Sequence, residues 1–347
     1  MRGLFRLIRR LILLVEVLIL GLLSPVAYVE VMCRPEGTPL AHTPLVGADW
    51  QRAEGRTLLT YPEWHIVHAY ADYGEVIRTG DPQDYGFLSS IGGFWSSTCA
   101  LAKASGPHGG FPWETKQMVY TIGVSFTAEL LAKAAYEETI GRLFTLMRGD
   151  TRAPLDDLSA TQAADYAVFL QQTPWYKWDF TRDAAALDAA ATDTLRDRER
   201  RFALGLEYRA KSAYAKVIEA AVAAVGADQL RLRAVVSGLD SAALSALPDV
   251  QVIETLPEGI VIEAPRYRVF TRLAETIAAS GGEFVEIAGN DDILFTTITD
   301  SPDPGALHAF PRQGNPGYRN LMLVPVAQLA QTLRTLPLGA LEHIHDY

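Results

Sequence analysis

One stretch has residue types at spacings that could do chemistry: TYPEWHIVHAYADYGEV, residues 60–76. Its polar members His65, His68, Asp72 and Glu75 are three, four and three residues apart. On a helix turning 100° per residue they fall within a wedge of about 80°. Glu63 points to nearly the opposite side. It fits instead a helix start, with Thr60 and Glu63 as a capping box and Pro62 in the first turn. His65, His68 and Asp72 are therefore the chemical candidates. Neutral imidazole nitrogen and carboxylate oxygen together suit a divalent metal, zinc or iron, and residues one turn apart can share an ion. The same groups can act as acid and base near neutral pH. No H-E-x-x-H motif is present, so a metal would need a further ligand from another segment. The competing reading is a polar helix face whose histidines hydrogen-bond to their neighbours.

The apolar helix expected over 116–147 supplies a second carboxylate. Ser125, Glu129, Lys133 and Tyr136 share one of its sides. Glu129 and Lys133 also form an i,i+4 pair in the favourable order, which alone explains their presence. The sharpest expectation is a pocket lined by His65, His68, Asp72 and Glu129, among aromatic residues that would suit a lipid-like or other apolar small molecule.

These helices follow a membrane segment. Residues 1–10, MRGLFRLIRR, carry four arginines and no acid. Residues 11–32, LILLVEVLILGLLSPVAYVEVM, are long enough to cross a hydrocarbon core of about 30 Å. Glu16 costs roughly 2.5–3.5 kcal/mol near the bilayer centre, which the surrounding aliphatic residues offset. A cleaved signal peptide is the alternative, but Pro25 and Ala27 make a poor processing site. The expectation is an uncleaved signal-anchor. Its arginines would stay in the cytoplasm and the bulk of the chain would lie outside it, in the periplasm if the source is a Gram-negative bacterium. Residues 118–135 are apolar enough to raise a second span as a rival to a soluble core helix.

With a net charge of −10, no zinc-finger spacing and no broad basic face, the chain is not expected to bind nucleic acid. Its two cysteines, Cys33 and Cys99, belong to no C-x-x-C pair, and a single bridge between them is left open.

The expected fold class is α+β. Residues 33–49 read as an extended Pro- and Gly-rich linker, and 50–225 as a mainly helical domain with helices at 61–78, 83–104, 116–147, 160–172 and 193–225. Residues 228–347 read as a ferredoxin-like α+β sandwich, because β-α-β-β-α-β order follows from the alternation in LRLRAVV, 230–236, onward. EFVEIAG and ILFTTIT flank Asn290-Asp291-Asp292 as a hairpin. PWYKWDF, 174–180, reads as packing against the helical core rather than a carbohydrate platform. HIHDY at the carboxyl end sets His343 and His345 on one face of a strand, read as an exposed chain end. No G-x-S-x-G, Walker A or G-x-G-x-x-G element is present. Three functions fit: an anchored enzyme using the polar cluster, a non-catalytic assembly or binding protein, and a carrier of lipid or another small molecule.

Overall fold

A computed structural model describes residues 2–52, 54–225 and 230–346, and the boundary expected near 225–228 falls mostly outside them. It is a mixed helix and sheet fold with an apolar amino-terminal helix and antiparallel sheets at the carboxyl end. The helical half comprises α1 (Arg2–Met32), α2 (Glu54–Thr79), α3 (Phe87–Ala104), α4 (Trp113–Tyr136), a π turn at Glu137–Gly141, α5 (Arg142–Arg148), α6 (Pro154–Leu170), α7 (Phe180–Ala190) and α8 (Leu195–Val225). The sheet half follows as β1 (Arg231–Ser237), α9 (Ser241–Ser245), β2 (Gln251–Thr255), β3 (Ile260–Pro265), α10 (Arg268–Ala279), β4 (Glu283–Ile287), β5 (Asp292–Thr299), β6 (His308–Pro311), β7 (Tyr318–Pro325), α11 (Val326–Thr335) and β8 (Leu341–His345).

The two sheets share one strand order. The first runs β2-β3-β1-β4 and the second β6-β7-β5-β8, with every neighbour antiparallel. In each, the third strand crosses to the fourth through a helix, α10 or α11. Helix α9 joins the first strand to the second in one sheet, and a loop does so in the other. Apolar residues alternate along the strands as the pleat requires. Ile293 and Phe295 of β5 and Ile344 of β8 join Phe270, Leu273 and Ile277 of α10 and Leu329 of α11 in one core fed by both sheets. Leu294 and Leu321 point the other way, onto α2.

Several expectations change. Helix α2 begins at Glu54, so Thr60 and Pro62 lie inside it, and the Thr60 hydroxyl donates to the Thr57 carbonyl instead of capping the helix start. Strands β4 and β5 do not form a hairpin. The turn is tight, with Ala288 and Gly289 at positive φ, but β5 leaves for the other sheet. Helix α7 was not expected, since its sequence DAAALDAA has little periodicity. Residues 118–135 are part of α4, which buries Val119, Phe126 and Leu130 among the helices. Among the described residues one helix, over Ile8–Met32, is long and apolar enough to cross a membrane. Cys33 and Cys99 are joined in a disulfide.

The expected linker is clamped along its length. The Glu36 amide donates to the Lys103 carbonyl at 2.8 Å and the Leu40 amide to the Pro107 carbonyl at 2.8 Å. Farther on, the buried Glu286 carboxylate accepts from the amides of Leu45 (2.6 Å) and Val46 (3.0 Å). Val46 and Trp50 pack on Val235 and Val261, covering the outer face of the first sheet. Helix α2 covers the corresponding face of the second.

Candidate functional site

Helix α2 is the central strut of the molecule. Its flank bearing Leu58, Tyr61, Trp64, His65, His68 and Asp72 lies against β5, β6, β7 and β8, and it also packs on α3, α4 and α6. Three of the four expected site residues therefore converge, all buried.

The His65 Nε2 lies 2.9 Å from the Ser90 carbonyl oxygen of α3. The approach needs Gly93, because a Cβ there would stand 2.8 Å from the His65 ring. His68 Nδ1 lies 3.6 Å from a Glu342 carboxylate oxygen. Asp72 accepts from the Gln313 amide at 3.1 Å and from the Arg319 guanidinium at 3.4 Å. The loop carrying Gln313 sits tight on α2: Gly314 has φ +75°, and a Cβ there would meet the Val76 amide nitrogen at 2.7 Å. Only glycine suits that position.

The facing sheet completes the layer with residues that sequence spacing did not connect. Arg319 on β7 is buried and donates to both Glu342 oxygens, at 2.6 and 2.7 Å. Glu342 reaches this face through an irregularity between β5 and β8, where Thr296 pairs with His343 but Thr297 pairs with Leu341. The extra residue re-aims the side chain, as bulges do. His343 and His345 are buried, not an exposed chain end. His343 stacks on Trp64 with ring centres 3.4 Å apart and lies 3.2 Å from the Thr271 hydroxyl of α10. His345 meets Tyr61 edge-on at 5.3 Å.

Burial dominates the electrostatics. It drives the imidazole of His65 down to about 3, against the Ser90 carbonyl, with Arg319 and His308 adding to the effect. It also brings His345 to about 3, with Glu342 opposing. His68 and His343 are held well below their ordinary values, first by burial and then by neighbouring cations and imidazoles. Burial raises Asp72, which Arg319 partly offsets. Arg319 itself is raised by Glu342 and Asp72 in spite of its burial. Neutral histidines thus surround one arginine balanced by two carboxyl groups. Several polar atoms in the layer have no partner: Tyr61 Oη, His65 Nδ1, His68 Nε2, Arg319 Nη1, His343 Nε2 and both nitrogens of His345.

Glu129 does not join this layer. It accepts from the Tyr70 hydroxyl at 2.6 Å, and Tyr70 leaves α2 on the side opposite Tyr61, nine residues or about 900° along. There Glu129 and Glu207 share Lys133 and Lys211 in a compact ion-pair cluster, with Lys211 Nζ 3.0 Å from Glu129 and 2.9 Å from Glu207. Burial raises the Glu129 carboxyl, but Lys211 and Lys133 together hold it below its ordinary value. A cleft beside this cluster, lined by Tyr70, Tyr73, Tyr85, Phe126 and Lys133, has room for about one water. The four-residue pocket is therefore two separate clusters on opposite flanks of one helix.

Among the described residues, no group of three or more His, Cys, Asp or Glu side chains is arranged to hold a metal ion. His65, His68 and Asp72 share a face, but one His65 nitrogen is taken by Ser90 and Asp72 is taken by Arg319 and Gln313. Trp175 and Trp178 pack on Tyr214 and on Tyr166 and Phe169. The chain matches no known family model, no curated protein and no solved structure.

Proposed function

We propose that this chain is a non-catalytic binding or assembly protein held to a membrane by α1, with the sheet half as its docking module. The observation that carries this reading is the buried state of the polar face. His65 and Asp72 spend hydrogen bonds joining α2 to α3, to the loop before β7 and to β7, and His68 lies 3.6 Å from Glu342 of β8. A polar layer used this way fixes one arrangement of two halves. The strand order β2-β3-β1-β4, with helical crossovers α9 and α10, supports a ferredoxin-like unit, and β6-β7-β5-β8 supports a second in tandem.

Two features support an uncleaved anchor with the body outside the cytoplasm. The end of α1 docks on the folded body on both sides of Ala27, so a cut there would fall inside a packed helix: Val26 packs on the helical core, Val29 and Cys33 are buried, and Glu30 pairs with Lys116 at 2.8 Å. The Cys33–Cys99 disulfide stands just past the apolar stretch, and such bonds persist in oxidising compartments.

The second reading keeps a ligand in the polar layer, either a lipid-like molecule or a metal. The unpartnered nitrogens and hydroxyl there favour it, because buried polar atoms are ordinarily satisfied by something. The combined variant His65→Ala, His68→Ala separates the readings. The first expects it to lose about 2–5 kcal/mol of stability and to become sensitive to protease between the halves. A variant that keeps native stability but loses zinc, iron or co-purifying lipid refutes it in favour of the second.

A further inference from the structure

Helix α1 and the start of the linker run beside α3 in the same direction, since Cys33 is bonded to Cys99 and the Glu36 amide reaches the Lys103 carbonyl. Helix α4 returns antiparallel to α3: Trp95 Nε1 donates to the Thr127 hydroxyl at 2.9 Å, while the short loop after α3 leads into Trp113. Glu30 of α1 meets Lys116 and Tyr120 near the start of α4. Moving back from Cys33 into the apolar stretch therefore corresponds to moving forward along α4. The π turn and α5 lie at the end of the body nearer the span.

The first half of α8 is fastened to that end. Tyr136 donates to Glu199 at 2.6 Å, Arg200 to Glu137 at 2.9 Å, and Arg196 to the Gly141 carbonyl at 3.4 Å. Both of these neighbouring helices expose large apolar side chains: Leu146 is 73 % exposed, Phe202 69 % and Leu206 58 %, and Leu143 and Met147 are more than half exposed. Among charged residues of α8 from Leu195 to Arg209, the exposed ones are Arg198, Arg201 and Arg209, whereas Asp197 and Glu199 are buried and Glu207 is held by lysines. Arg198 also reaches Asp193 at 3.4 Å, and Arg142 on α5 is paired with Glu138. This is a local basic and apolar edge on a chain of net charge −10. Apolar side chains flanked by arginine are the composition of a helix lying in a lipid interface.

We propose that this edge, Leu143, Leu146 and Met147 of α5 with Phe202 and Leu206 of α8, lies in the headgroup region of the bilayer that α1 crosses, with Arg198, Arg201 and Arg209 toward anionic lipid. The proposal rests on α1 crossing that bilayer, and the experiment separates the two. Both native cysteines are in the disulfide, so an introduced cysteine takes a thiol-reactive, polarity-sensitive dye selectively. The full-length chain is labelled at Phe202→Cys, at Leu146→Cys or, as control, at Leu338→Cys, where the native residue is fully exposed between α11 and β8. Each is reconstituted into phosphatidylcholine vesicles with or without phosphatidylglycerol and tested for flotation.

The expected result is flotation of all three, with blue-shifted dye at 202 and 146 only. The shift grows with phosphatidylglycerol and the emission is quenched by lipid carrying a spin label. Flotation with all three dyes in water overturns the interfacial edge and leaves the span standing. Failure to float overturns both. A blue shift without lipid quenching means a protein, such as a second copy of this chain, covers the edge, and that also overturns it.

Discussion

Lowering the pH from 7 to 5 should weaken this fold well before its ordinary carboxylates titrate. His65, His68, His343 and His345 are held neutral in the layer between α2 and the second sheet, facing Tyr61, Asp72, Arg319 and Glu342. Their ordinary value is 6.5 and burial takes His65 and His345 to about 3, so within that window the unfolded chain binds protons that the folded chain refuses. Stability is complete above pH 6.5 and falls as pH drops. Each such histidine removes at most about 1.4 kcal/mol per pH unit. Asp72 and Asp346 act in the opposite sense, because burial raises both, Asp346 to about 7. The folded state gains a proton at these carboxyls that the unfolded state takes up only near 3.8. Four histidines against two carboxyls leave a net loss of about 2–4 kcal/mol between pH 6 and pH 5, out of a typical total of 5–15 kcal/mol. Urea unfolding of the detergent-solubilised chain, followed by tryptophan fluorescence at fixed ionic strength, measures it. His345→Leu should lower the slope by about 1.4 kcal/mol per pH unit without releasing a hydrogen-bond partner, since neither ring nitrogen has one. A urea midpoint that is flat from pH 7 to 5, or a slope unchanged by His345→Leu, would refute the neutral-histidine layer.

Glu286→Ala should cost about 2–4 kcal/mol by stranding the amides of Leu45 and Val46, and limited proteolysis should then cut the chain between Pro39 and Trp50. Arg200→Ala should cost about 3–5 kcal/mol in chemical unfolding, because Glu137 is left buried without its cation and Glu199 keeps only the Arg196 cation, whereas Arg200→Ala combined with Glu137→Ala should cost less than the two separate losses together. Opening the disulfide, which spans 66 residues, with Cys33→Ser and Cys99→Ser should lower stability by about 4 kcal/mol, read as a drop in Tm.

Much of the architecture was legible because it rests on local periodicity. Strand alternation in LRLRAVV and the stop at Gly281-Gly282 place β1 and the end of α10 within a residue or two. The polar wedge of α2 was legible for the same reason, since helical spacing alone puts His65, His68 and Asp72 on one side. Whatever depended on the partner of a face was not. Asn290-Asp291 marks a turn, but a turn does not say whether the next strand pairs with the last or joins another sheet. Glu129 groups with the histidines only as a carboxylate on one side of an apolar helix, and the direction of Tyr70 separates them. Arg319 and Glu342 stand more than 240 residues from Asp72, and the bulge that turns Glu342 toward it comes from sheet pairing rather than from its own sequence. His343 and His345 alternate as a one-sided strand requires, but that leaves open whether the side meets water or Trp64.

The clamped segment between α1 and α2 sets how the molecule explores its surroundings. Left as free chain, the seventeen residues 33–49 would let the body swing through about 20–25 Å around α1. Held by Cys99, Lys103, Pro107 and Glu286, the same residues act as a stiff stalk. On the proposed reading, in which α1 crosses a membrane, a partner there would find the sheet half at one height and one angle. Less orientational freedom would be lost on contact, but a partner of the wrong length would be out of reach.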